Sequence, residues 1–129
     1  MSSSVISESE PDLTVDPQRL ERLCADLDGD TEAVTGFISA FVRMWPARLD
    51  RVRGAVHRND VEAILDSALS IRSSSGMIGA AQLGAVAVDV ERCGRRGDVT
   101  GAHALIPRLS TAGSATVTVL SEMLVAGRY

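Results

Sequence analysis

Side chains able to carry covalent chemistry are few in this 129-residue chain, and most of them stand alone. Its two imidazoles are His57 and His103. A neutral imidazole is both a nucleophile and a metal ligand, but two are too few for a His-rich metal site. Cys24 and Cys93 fall on different predicted helices with no ligand-type partner close in sequence, so each reads as a free, partly buried thiol, with a disulfide as the alternative. Asp26, Asp28 and Asp30 begin like a calcium loop, yet no glutamate closes its far end. Paired carboxylates, a nucleophile elbow and a phosphate-cradling glycine loop are all missing from the sequence. An enzyme with its own small-molecule chemistry is therefore excluded, and neither cofactor nor metal is implied.

The elements that position these side chains follow from apolar spacing. Residues 1–15 are rich in Ser, Glu and Asp without a sustained apolar period, which describes a disordered tail, and residues 16–127 form the one domain. Asp16-Pro17 offers a cap and a first-turn proline for a short helix carrying Leu20, Leu23, Cys24 and Leu27, ended near Gly29. From Thr31 to Arg58, Val34, Phe37, Ile38, Phe41, Trp45, Leu49, Val52 and Val56 make one stripe, with the arginines largely off it. Pro46 predicts a kink inside this long helix. Asn59-Asp60-Val61-Glu62 has capping-box spacing, with Asn59 as cap, and starts a third helix along Val61, Ile64, Leu65, Ala68 and Ile71. Its three consecutive serines, Ser73 to Ser75, weaken intrinsic helicity, so packing must hold this end together. A fourth helix spans Ala80 to Arg96 and stops at Gly97; Asp98 caps the last, which Pro107 kinks or delays. Short turns between long helices predict an all-α, antiparallel up-down four-helix bundle with a short additional N-terminal helix.

Composition limits the partners. The basic residues are all arginine and are outnumbered by acids, for a net charge of −4, and no basic patch longer than Arg95-Arg96 occurs. Nucleic acid is thereby excluded as the main partner, because phosphate neutralisation needs clustered positive charge. With aromatics at 3% of residues, base stacking is equally poorly served. The apolar run from Ile78 to Val90 is broken by Gln82 and Asp89 and falls short of a membrane span. The start Met1-Ser2-Ser3-Ser4 lacks the features of a secretory leader, so a cytoplasmic protein is expected.

The stretch Ala68-Leu69-Ser70-Ile71-Arg72-Ser73 through Gly79-Ala80-Ala81-Gln82-Leu83 resembles the signature of the histidine-containing phosphotransfer (HPt) domain family. That signature has an Ala-His pair, a hydrophobic residue, a cation three after the histidine, a small residue next, and a Gly-Ala about ten residues on. Ile71, Arg72, Ser73, Gly79, Ala80 and Leu83 keep this frame without a gap, and the likeness extends over roughly Leu20 to Leu124. It implies the four-helix bundle just derived and a place in two-component phosphorelay, with a response-regulator receiver domain or a histidine kinase as partner.

The departure from the family lies at the phosphoacceptor, where Leu69 stands in place of histidine and offers no lone pair. Ser73 also replaces a frequent glycine, a milder change. A helical wheel places Leu69 roughly 110° from the centre of the apolar arc, in the sector of Glu62 and Ser73, at the edge of the core or outside it. The expectation is a non-phosphorylatable regulator that docks through an apolar centre at Leu69 with Arg72, Ser73, Gly76 and Glu62 around it. Two other readings stand beside it: an active carrier using His57 or His103, and a self-associating bundle unrelated to phosphorelay. The oligomeric expectation is a monomer or weak homodimer.

Overall fold

The computed structural model describes residues 14–129, so residues 1–13 of the tail expected over residues 1–15 lie outside the described residues. Five helices follow in order: α1 (Pro17–Asp26), α2 (Thr31–His57), α3 (Val61–Ile78), α4 (Ala81–Arg95) and α5 (Val99–Val125). Among the described residues there is no strand, and the architecture is the all-helical bundle the periodicity predicts. The four long helices close a ring in which α2 packs on α3, α3 on α4, α4 on α5 and α5 back on α2; α1 leans on α2 and α3.

Four of the five helix starts have a local cause in a capping aspartate, while α4 begins after Ala80 without a side-chain cap. Asp16 accepts from the Gln18 amide at 3.0 Å with Pro17 in the first turn, Asp30 accepts from Ala33 at 3.1 Å, and Asp98 from Gly101 at 2.8 Å. These carboxylates satisfy amides that have no intrahelical partner and sit at the positive end of the helix dipole. At α3 the expected cap moves by one residue. Asp60, not Asn59, accepts from the Ala63 amide at 3.1 Å, while Asn59 takes the left-handed conformation at φ 56°. The α2–α3 connection needs one left-handed residue, and asparagine tolerates it better than most non-glycine residues.

Two other expectations shift. Val15, assigned to the tail by composition, is buried, and the Asp16 amide donates to the Gly79 carbonyl at 3.0 Å, so the packed domain includes Val15. Pro107 does not delay α5, which starts at Val99 and runs through it, as α2 runs through Pro46. In both helices the apolar stripe continues past the proline, and tertiary burial outweighs one lost backbone hydrogen bond.

The core is aliphatic. Val34, Ile38, Val52, Ile64, Leu83, Val90 and Leu120 are fully enclosed, with Phe41 and Trp45 as its aromatic part. Those two rings lie 6.4 Å apart and nearly parallel, at 9°. Where α2 meets α5, a Cβ on Gly113 would fall inside the Trp45 ring; the glycine is what lets the indole lie against the α5 backbone. Cys93 is buried and Cys24 half-buried, both as free thiols, as the sequence reading favoured.

Candidate functional site

Helix α3 buries Ile64, Ser67, Ala68, Ile71, Ser75 and Ile78. The opposite face is therefore forced outward by the 3.6-residue period, and Glu62, Leu69, Arg72, Ser73 and Gly76 are all exposed there. Leu69 itself is 42% exposed, one of few large apolar side chains so placed. Two of the three serines of the run, Ser74 and Ser75, are used for packing, as is Ser67 before it. Ser67 Oγ donates back to the Ala63 carbonyl at 2.7 Å, Ser75 is buried, and Ser74 receives an arginine from the neighbouring helix.

That arginine is Arg48, which sequence reasoning placed among the solvent-facing residues of α2. It is half-buried and reaches across to α3, where its Nη1 donates to the Ser70 carbonyl at 3.5 Å and to Ser74 Oγ. Its guanidinium lies over the Phe41 ring, 6.0 Å from the centroid, at cation–π range. Burial, and then the like charge of Arg51, push its pKa down from the ordinary arginine value. Arginine is basic enough to remain a cation under such a shift.

Arg72 is held on the other flank of Leu69. Its Nε meets Glu91 Oε1 of α4 at 2.7 Å, and Arg95 approaches the other carboxylate oxygen at 3.5 Å. The Glu91 side chain is only 6% exposed, whereas both arginines are about half in solvent or more. Cations can replace the partners that water gave a carboxylate taken that far out of it. The two arginines do so here, and α4 is thereby tied to the exposed face of α3. A groove of about 350 Å³ continues from this pair toward the end of the bundle, lined by Arg19, Arg72, Ser75, Gly76, Gly79 and Gly84. There Arg19 Nε donates to the Gly76 carbonyl at 3.0 Å.

Gly79 makes this corner possible. It ends α3 at φ 75°, and a Cβ on it would come within 2.8 Å of the Cβ atoms of both Arg19 and Asp16. The glycine in the sequence frame is thus explained by a left-handed cap on which α1 rests.

The structure does not bring His57 or His103 to this face. Both instead line a cleft of about 290 Å³ between α2 and α5, together with Arg53, Val56 and Ile106. Up-down topology could have foretold it, since the end of α2 and the start of α5 share one end of the bundle. A larger groove, of about 540 Å³ between α4 and α5, is lined by Gln82, Val86, Pro107, Arg108, Thr111 and alanines. Among the described residues no cluster of three or more His, Cys, Asp or Glu side chains could hold a metal ion, and no helix is long and apolar enough to cross a membrane.

The fold is shared with solved phosphotransfer proteins. Histidine-containing phosphotransfer protein B of Pseudomonas aeruginosa superposes with a TM-score of 0.79 at 22% identity, over 90% of this chain and 96% of that one. The HPt domain of a hybrid sensor histidine kinase from Shewanella superposes with a TM-score of 0.71 at 12% identity, over 88% and 95%. No curated protein matches the sequence. The Hpt domain family model, however, matches residues 36–124, a span holding α3, α4, most of α2 and nearly all of α5. With the bundle and this match together, the chain belongs to the Hpt domain family of two-component phosphorelay signalling.

Proposed function

We propose that this protein is a cytoplasmic regulator in a two-component phosphorelay that binds a receiver domain or a histidine kinase without carrying phosphate at Leu69. The observation that carries the reading is the 42% exposure of Leu69 at the middle of the outer face of α3, in the sequence frame where relatives place histidine. A leucine there cannot attack an aspartyl phosphate, because it has no lone pair to offer. It can still be covered by a partner. Glu62, Ser73 and Gly76 share its face, and arginines from α2 and α3 flank it. Ser73 and Gly76 keep the surface low, so a globular domain can approach the helix closely.

Replacing Leu69 by Glu tests the reading. Fully burying a leucine is worth about 1.5–3 kcal/mol, and with 42% of it still exposed, a partner recovers roughly 0.6–1.3 kcal/mol of that, or about three- to ninefold in affinity. Placing a carboxylate there removes this gain and adds the cost of desolvating a charge. Receiver domains from the same organism are screened for binding by the wild type and then by Leu69→Glu. A receiver that binds both equally well sinks the proposed face.

A second reading is favoured by the meeting of His57 and His103 in one cleft with Arg53. An imidazole beside a guanidinium is a reasonable phosphoryl acceptor. Incubation with a phosphorylated receiver, followed by detection of acid-labile phosphate on wild type, His57→Ala and His103→Ala, separates the two. Label that disappears in one histidine variant overturns the regulator reading in favour of an active carrier. Concentration-dependent sedimentation with no receiver bound points instead to self-association through the Leu69 edge.

A further inference from the structure

The two arginines beside Leu69 are in different electrostatic states. Arg72 already has a counterion, the buried Glu91 carboxylate at 2.7 Å, which it shares with Arg95. Arg48 has none: among the described residues no carboxylate pairs with it, its Nη1 is bonded only to neutral oxygens of Ser70 and Ser74, and its buried Nε has no partner. The exposed large apolar side chains of these two helices are Leu69 and Met77 on α3 and Met44, 44% exposed, one turn before Arg48 on α2. An uncompensated, half-desolvated cation among apolar groups is a poor surface for water and a good one for an incoming carboxylate.

We propose that Arg48, and not the motif cation Arg72, is the charge that recognises the partner: a receiver domain seated on Leu69 and Met44 places a carboxylate against the outer Nη2 edge of Arg48, while Arg72 stays with Glu91. The proposal rests on the receiver-docking reading above. An acid approaching Arg72 has to compete with Glu91, whereas one approaching Arg48 displaces no existing ion pair. Arg48 is also preorganised, since its bonds to α3 and its place over Phe41 fix the guanidinium before the partner arrives. An acidic rim around an apolar contact is the complement that this arrangement selects.

The test uses the full chain and those receiver domains that the wild type binds. Affinity and association rate are measured at low and high salt for the wild type, Arg48→Gln, Arg48→Lys and Arg72→Gln, with thermal denaturation confirming that each is folded. Arg48→Gln should lose about tenfold in affinity and flatten the salt dependence by about one charge. Arg48→Lys should keep the salt dependence, and Arg72→Gln should change affinity by less than about threefold. Independently of any substitution, the side-chain Nε–Hε resonance of Arg48 in the wild type should shift on titration with receiver, and that of Arg72 should not. An unchanged salt slope in Arg48→Gln, a larger loss in Arg72→Gln, or a shift at Arg72 alone overturns the assignment while leaving receiver docking intact. Failure of the wild type to bind any receiver removes the docking reading itself, and this proposal with it.

Discussion

Gly113→Ala is the substitution whose effect the packing decides most directly. A Cβ at this position would lie 2.5 Å from Trp45 Cη2, and nearer still to Cζ2 and Cε2, against an ordinary carbon contact of about 3.5–4.0 Å. The ring must therefore move by more than about 1 Å. It has little room to do so: Trp45 is 5% exposed, and Phe41, stacked beside it, is 2% exposed. Overpacking of a core costs about 1–3 kcal/mol, and a rigid ring trapped between neighbours belongs at the upper end. Alanine returns about 1 kcal/mol through its better helix propensity. The net expectation is a loss of about 2 kcal/mol, or roughly 6–12 °C in melting temperature for a domain of this size. Urea denaturation followed by far-UV circular dichroism measures it in the wild type, Gly113→Ala, Trp45→Leu and the double variant. With the indole gone the alanine has space, so in the Trp45→Leu background Gly113→Ala should be neutral or stabilising. A wild-type-background variant as stable as the parent, or a penalty that persists in full without the indole, would falsify the argument.

The remaining predictions concern a cap, a turn and the exposed face of α3. Asp60→Ala removes the acceptor for the Ala63 amide and should cost about 1 kcal/mol in urea denaturation; no loss means that Asp60 is not the working cap. Gly79→Ala forces a side chain into a left-handed conformation and against Arg19 and Asp16, so at least about 1–2 kcal/mol should be lost. Hydrogen exchange should show α1 amides freed with it, and α1 protection equal to wild type would contradict the packing of α1 on that turn. Leu69→His places an imidazole at the centre of the exposed α3 face, and incubation with a phosphorylated receiver should give acid-labile phosphate on the variant and none at position 69 of the wild type. A folded variant that never labels shows that the surrounding surface no longer fits a receiver.

Much of the fold was legible because a helix repeats its apolar positions every three or four residues, and this chain does so from Leu20 to Leu124 with acidic caps between. Asn59 against Asp60 was not, since two adjacent residues of capping type give the same local signal. The choice is made by which of them the turn needs in the left-handed region. Val15 was assigned to the tail because composition alone does not register one buried valine next to a helix start. The outward face of α3 was legible from the wheel, down to the exposure of Leu69, because that inference needs only the period and the apolar arc.

The charges around Leu69 required more, and the reason is rotational. Whether an arginine on α2 points to water or lies across α3 depends on how the two helices are turned about their axes, and no single helix's pattern contains that angle. Arg48 lies across α3 because Ser70 and Ser74 present small polar surface where larger side chains would have pushed it away. The serines that lower the intrinsic helicity of α3 are thus the ones that admit a cation from its neighbour. Glu91 was hidden for the same reason, as a carboxylate one helix away from the cation it neutralises. A motif fixes which residue types stand near position 69, but the packing of three helices decides which of two arginines still has a charge to offer. On this bundle the motif's own cation is the one already paired.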